Sequence, residues 1–146
     1  RFIELAFDDE HTMPLAWAYK KQGSTSNSTP EAETVSLAVA MREDAIPLQA
    51  LLSKLLGHNI PVRVFEDNEA CITNVKRGYS PTMRYLPRTQ RVSIGGLHEI
   101  FEEGLLEDFG GATLEYAKSK DHKGDQFTKE LGPSEFERAV DMIGMR

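Results

Sequence analysis

Residues 60–74, IPVRVFEDNEACITN, constrain the fold more than any other stretch of the chain. Val62, Val64 and Phe65 make a short run of β-branched and aromatic residues behind Pro61, which predicts a mostly buried strand. Glu66, Asp67 and Asn68 follow at once. A helical run through Ala70, Cys71 and Val75 comes next, and Gly78 should stop it. A strand feeding directly into a helix is half of a βαβ unit. In open α/β sheets, ligands bind beyond the carboxyl ends of the strands, where the Asp67 carboxylate would stand. A plainer use for Asp67 and Asn68 is to cap the helix, since both are favoured at that position.

A chain of 146 residues is expected to form one domain with a buried core. With 40% hydrophobic and 27% charged residues it falls in the ordinary globular range, neither fibrous nor disordered. No apolar run reaches membrane-spanning length and no signal peptide is visible, so a membrane is not an expected partner. The chain opens at Arg1, without a Met and inside a strand-like run, so it is expected to be a piece of something longer. Cys71 is the single cysteine, which excludes an internal disulfide and suits a reducing intracellular compartment, cytoplasmic or nuclear. Its place on the inner face of a helix predicts a core residue rather than a nucleophile. No Cys/His grouping has zinc-ligand spacing.

The net charge of -6 argues against general affinity for nucleic acid, but the charges are segregated. Between Glu69 and Glu99 there is no acidic residue, while Lys76, Arg77, Arg84, Arg88 and Arg91 are basic. Glu99, Glu102, Glu103, Glu107, Asp108 and Glu115 follow with no Lys or Arg among them. This pattern predicts a cationic face beside an acidic one, unless both are simply solvated surface.

In chain order, Phe2, Ile3, Leu5 and Phe7 predict a strand. Residues 8–12 form a polar turn in which Asp8 and Asp9 are turn formers, and residues 13–19 close an antiparallel hairpin. After a polar loop, Pro30 opens the longest helix, with Ser28 or Thr29 as its cap. Val35, Ala38, Met41, Ala45, Leu48, Leu51, Leu52, Leu55 and Leu56 recur at helical spacing and predict one buried face. Pro47 should kink or interrupt that helix, and Gly57 should end it. Residues 79–91 read as a loop, residues 92–103 as a helix, and residues 112–117 as a strand. Asp125 opens a short segment, and Ser134 with Glu137 predicts a capping box for a closing helix. The pattern is α/β with a mixed sheet.

Glu33, Asp67 and Asp125 occupy comparable places, each at or near the start of a helix. If the two late strands are parallel neighbours, Asp67 and Asp125 emerge at one sheet edge with Glu33 across from them. Two carboxylates at ~5 Å repel by about 3 kcal/mol at an effective dielectric of ~20. A typical cap gains only about 1 kcal/mol. Such a cluster therefore implies a hard divalent cation, Mg²⁺ or Mn²⁺, and suits two-metal phosphodiester hydrolysis.

Four segments, in order, carry a resemblance. Residues 20–34, KKQGSTSNSTPEAET, are similar to the SKKQ…S-x-AEAEY stretch of copia-type retrotransposon polyproteins. EDNEACI resembles their DNQSAI, RTQRV their RTKHI, and GDQFTK their ADIFTK. The matches span residues 20–131, most of the chain. That region is the ribonuclease H domain associated with reverse transcriptase, so the resemblance implies a ribonuclease H-like mixed sheet with helices on both faces. It carries the family's carboxylates to Glu33, Asp67 and Asp125. Glu33 fits the family's spacing to its helical alanine better than Glu31, whose simpler role is at the helix dipole. His122, in the polar loop after the last strand, resembles the mobile histidine of cellular ribonucleases H. The family's first strand carries a fourth carboxylate in a D-x-DW stretch, and this chain is expected to start after it.

The reading is thus a metal-dependent ribonuclease H-like domain acting on an RNA–DNA hybrid, with the reverse transcriptase of the same polyprotein as its neighbour. Glu33, Asp67 and Asp125 would hold the ions and His122 would shuttle a proton. Lys20, Lys21, Arg84, Arg88 and Arg91 would contact phosphates, making binding strongly salt-dependent. The alternatives are a catalytically inactive module of the same fold and an unrelated α/β domain with a small-molecule site.

Overall fold

The structure, a computed structural model, describes residues 2–7, 11–18, 25–118, 123 and 132–142. In chain order the elements are β1 (Phe2–Ala6), β2 (Thr12–Trp17), α1 (Thr29–Ala40), a π-helical turn (Met41–Ala45) and α2 (Ile46–Leu56). They continue with β3 (Val62–Glu66), α3 (Glu69–Arg77), a 3-10 turn (Pro81–Met83) and α4 (Leu86–Thr89). The last are α5 (Ile94–Phe101), a 3-10 turn (Glu107–Phe109), β4 (Ala112–Tyr116) and α6 (Pro133–Met142). The chain is mixed α/β, and among the described residues its strands make two separate two-stranded sheets, β1–β2 and β3–β4. No described helix is long and apolar enough to cross a membrane. The residues gather into two compact units, Gln22–Ala117 and a second made of Arg1–Lys21 with Lys118–Arg146.

In the larger unit α1 starts where the sequence places it. Ser28 Oγ accepts a hydrogen bond from the Glu31 N–H at 3.3 Å, and Pro30 lies in the first turn, where a missing N–H costs nothing. Pro47 does not break the helix. A proline crowds the carbonyl four residues behind it and cannot donate to it. Here the backbone widens just beforehand, so that the Ile46 N–H bonds Met41 O, and helical winding resumes as α2. A wide turn of this kind absorbs the misfit without a sharp kink.

That turn also corrects the buried face expected for the long helix. Val35 and Met41 are buried, but Leu51, Leu55 and Leu56 are 50–70% exposed. An extra residue in one turn rotates everything after it by about 100° relative to an unbroken α-helix. Leu51, Leu55 and Leu56 swing outward and Gln49 swings in. Its Nε2 lies 2.8 Å from Ile60 O, 3.0 Å from Gly111 O and 3.3 Å from Phe109 O. One amide therefore ties together the two chain segments that lead into β3 and β4.

β3 and β4 pair in parallel, from Val62 opposite Ala112 to Glu66 opposite Tyr116. The Ala117 N–H extends the ladder to Glu66 O. Their inner face, Val62, Val64, Ala112 and Leu114, packs on Leu37, Met41, Cys71, Val75, Leu97 and Leu106. At the end of α3, Gly78 adopts φ 72°, and a Cβ there would come 3.2 Å from the His98 ring. Residues 79–91, expected to be a loop, instead form two short helical turns. They bury Met83 and Leu86 in a second cluster with Val35, Val92 and Ile94. α5 starts at Ile94 rather than Val92, because Ser93 Oγ accepts from the Gly96 N–H and caps it.

In the smaller unit β1 and β2 form the expected antiparallel hairpin, with an irregularity between Ile3 and Glu4. Lys123 Nζ reaches both carboxylate oxygens of Glu4, at 2.8 and 2.7 Å. The closing helix starts two residues earlier than the expected capping box of Ser134 and Glu137 would place it. Glu135, not Glu137, reaches back to accept from the Gly132 N–H, and Pro133 takes the first helical position.

Candidate functional site

Asp67 is the first residue past β3, half-buried, at the carboxyl end of a strand with a parallel neighbour. The role of N-cap falls to Asn68, whose Oδ1 accepts from the Cys71 N–H at 3.0 Å. Glu66 shares in shaping this corner. Buried at the end of the inner face, it accepts the Asn68 N–H at 3.0 Å. The strand's own alternation marks Glu66 as inward-facing with Val62 and Val64, a signal present in the sequence beside the more conspicuous Asp67.

Glu33 lies half-buried on α1, which packs against α3. Its charge reaches the same end of α3. Burial pushes the Cys71 thiol up to about 12, and the Glu66 and Glu33 carboxylates add to that effect, while the Thr34 hydroxyl, 3.4 Å from Sγ, opposes it. Glu33 on α1 and Glu66 at the strand end thus both favour the protonated thiol at the start of α3. Cys71 is a core residue, as expected, with a thiol held protonated. Iodoacetamide at neutral pH is expected to leave it unmodified in the folded chain and to label it fully in urea. Mass spectrometry that finds rapid labelling of the native chain would contradict this burial.

Asp125, His122, Lys20 and Lys21 lie outside the described residues. Among the described residues no three His, Cys, Asp or Glu side chains stand close enough to hold a metal ion. The acids at this corner are all carboxylates, a donor chemistry that fits a hard divalent cation.

Arg84, Arg88 and Arg91 are all exposed on the segment that leads into α5. Arg91 adopts φ 54°, a left-handed conformation that costs a non-glycine residue roughly 1–2 kcal/mol. It ends α4 and turns the chain so that Val92 enters the core. Beneath this segment lies Glu31, the carboxylate that the sequence assigned only to the helix dipole. It is 1% exposed and accepts hydrogen bonds from the Asn27 N–H at 3.0 Å, Gln90 Nε2 at 3.1 Å and the Tyr85 hydroxyl. Nothing in the local sequence signals this, because two of the partners come from far along the chain.

A shallow open groove of about 580 Å³ lies elsewhere, lined by Pro61, Arg63, Phe101, Gly110, Gly111 and Glu115 among others. It sits at the amino ends of β3 and β4, opposite the edge at which α/β sheets bind ligands. On its wall Arg63 donates two hydrogen bonds to Glu115, at 3.0 and 2.9 Å, which hold that carboxyl below its usual range. No family model matches the chain, and no solved structure matches it significantly.

Proposed function

We propose that the chain is a single ribonuclease H-like domain of a copia-type retrotransposon polyprotein, which hydrolyses the RNA strand of RNA–DNA hybrids beside its reverse transcriptase. The observation that carries this reading is the parallel pairing of β3 with β4, which puts Asp67 at the carboxyl edge of the sheet. Asp125 also follows β4 in the chain, though at a greater distance than Asp67 follows β3. Glu33 lies on α1, which packs against α3, the helix that Asp67 precedes.

Glu33, Asp67 and Asp125 would hold Mg²⁺ or Mn²⁺, which when bound acidifies an attacking water and stabilises the leaving oxygen. The chain's own groups orient the substrate. Lys20, Lys21, Arg84, Arg88 and Arg91 grip backbone phosphates, and His122 moves a proton. RNA is told from DNA through its 2′-hydroxyls and groove shape, not base edges.

A labelled hybrid should be cut in the presence of Mg²⁺. Asp67→Asn and Glu33→Gln should each slow the reaction by roughly two orders of magnitude or more. Cleavage that survives both substitutions sinks the nuclease assignment. Salt-sensitive hybrid binding with no cleavage in any form of the chain would favour the inactive module.

A further inference from the structure

Glu31 stands apart from the carboxylates assigned to metal. All three of its hydrogen-bond partners are donors, so the carboxylate is satisfied where it lies, without a cation. Two of those donors frame the basic segment. Tyr85 follows Arg84 directly, Gln90 precedes Arg91 directly, and Arg88 lies on the short helix between them. The Tyr85 hydroxyl also accepts from Asn27 Nδ2 at 2.7 Å, which ties the same ring to the chain ahead of α1. α4 is only four residues long and cannot hold its own shape. Its position has to come from side chains anchored elsewhere, and the left-handed Arg91 persists only where its surroundings impose it.

We infer that Glu31 is a positioning residue. It latches Tyr85 and Gln90 to the start of α1 and thereby presents Arg84, Arg88 and Arg91 as one fixed cationic set to the phosphates of a nucleic acid. This rests on the nucleic-acid reading above. A fixed set binds more tightly than a loose one because its arginines need not be ordered at the moment of binding. The buried charge would thus strengthen binding of a polyanion without touching it.

Two variants and two measurements test this. Tyr85→Phe removes one hydroxyl and keeps the ring. Glu31→Gln keeps the shape and removes the charge, and Tyr85→Phe carries the test alone if that chain does not fold. Without nucleic acid, trypsin should cut after Arg84, Arg88 and Arg91 faster in the variants, while cuts after Lys54 and Arg63 keep their wild-type rates. With a fluorescent RNA–DNA hybrid, the variants should bind about tenfold more weakly, with a dependence on log salt shallower by about one contact's worth. Unchanged cutting at the three arginines means there is no latch and overturns the inference. Faster cutting with wild-type affinity and salt slope overturns it too, because the latch then positions nothing. A wild-type chain that binds no hybrid overturns the nucleic-acid reading itself, whatever trypsin reports, and the inference falls with it.

Discussion

Gly110→Ala is expected to destabilise the chain by about 3–5 kcal/mol, a large share of the 5–15 kcal/mol that holds a typical domain together. Two costs combine. Gly110 adopts φ 113°, which a side chain strongly disfavours. A Cβ there would also come 2.7 Å from both Ile60 C and Ile60 O, and 2.9 Å from Ile60 N. Ile60 cannot step aside, because its N–H is bonded to Phe109 O and Ser53 Oγ and its carbonyl to Gln49. The neighbouring glycine supplies the control. Gly111 also has a positive φ, 78°, but a Cβ there meets nothing within 4 Å, so Gly111→Ala should cost only about 1 kcal/mol. Urea denaturation of both variants checks this. Two alanines that lower the midpoint equally would show that the close approach to Ile60 is not what matters.

Gln49→Leu should cost about 2–3 kcal/mol, although a leucine of similar size would ordinarily suit a buried helical position. Gln49 is 3% exposed, and its amide is the partner that Ile60 O has. Phe109 O and Gly111 O would keep the N–H groups of Ile60 and Val62 respectively, so the loss concentrates on one carbonyl. A buried acceptor left without a donor costs about 1–3 kcal/mol. Gln49→Glu would fare no better, since it sets a carboxylate against three carbonyls. Because Gln49 and Gly110 both grip Ile60, the double variant should lose less than the sum of the two. A leucine variant as stable as wild type, by the same denaturation measurement, would mean that the carbonyls find water or another donor.

Much of the larger unit was legible in the sequence wherever a local signal determines the outcome. The run from Val62 to Gly78 predicts strand, cap and helix because each part depends on neighbours a few residues away, and Asn68 and Gly78 do what their chemistry suggests. Ser28 before Pro30 is a signal of the same kind. Local signals fall short where distant partners decide. Glu31 is buried because Tyr85 and Gln90 return to cover it. Residues 79–91 look like a loop because two prolines and exposed arginines mask the two residues, Met83 and Leu86, that the core takes in. Leu51, Leu55 and Leu56 depart from the expected buried face for another reason. Counting at helical spacing assumes every turn holds the same number of residues, and a single wide turn leaves no mark in the pattern. Of the candidate site, the placement of Asp67 at a strand end is readable, and the inward turn of Glu66 follows only from the period-two alternation with Val62 and Val64.

The parallel pairing of β3 with β4 also has a bearing on how the chain reaches its native state. Val62 cannot meet Ala112 until everything between them, α3 through α5, has been gathered into a closed loop. Helices of local origin form in about a microsecond, whereas contacts distant along the chain are slow to nucleate. The edge that carries Asp67 is therefore expected to be completed late, after α3 and α5 have docked. Substitutions in the ladder should hasten unfolding far more than they delay refolding.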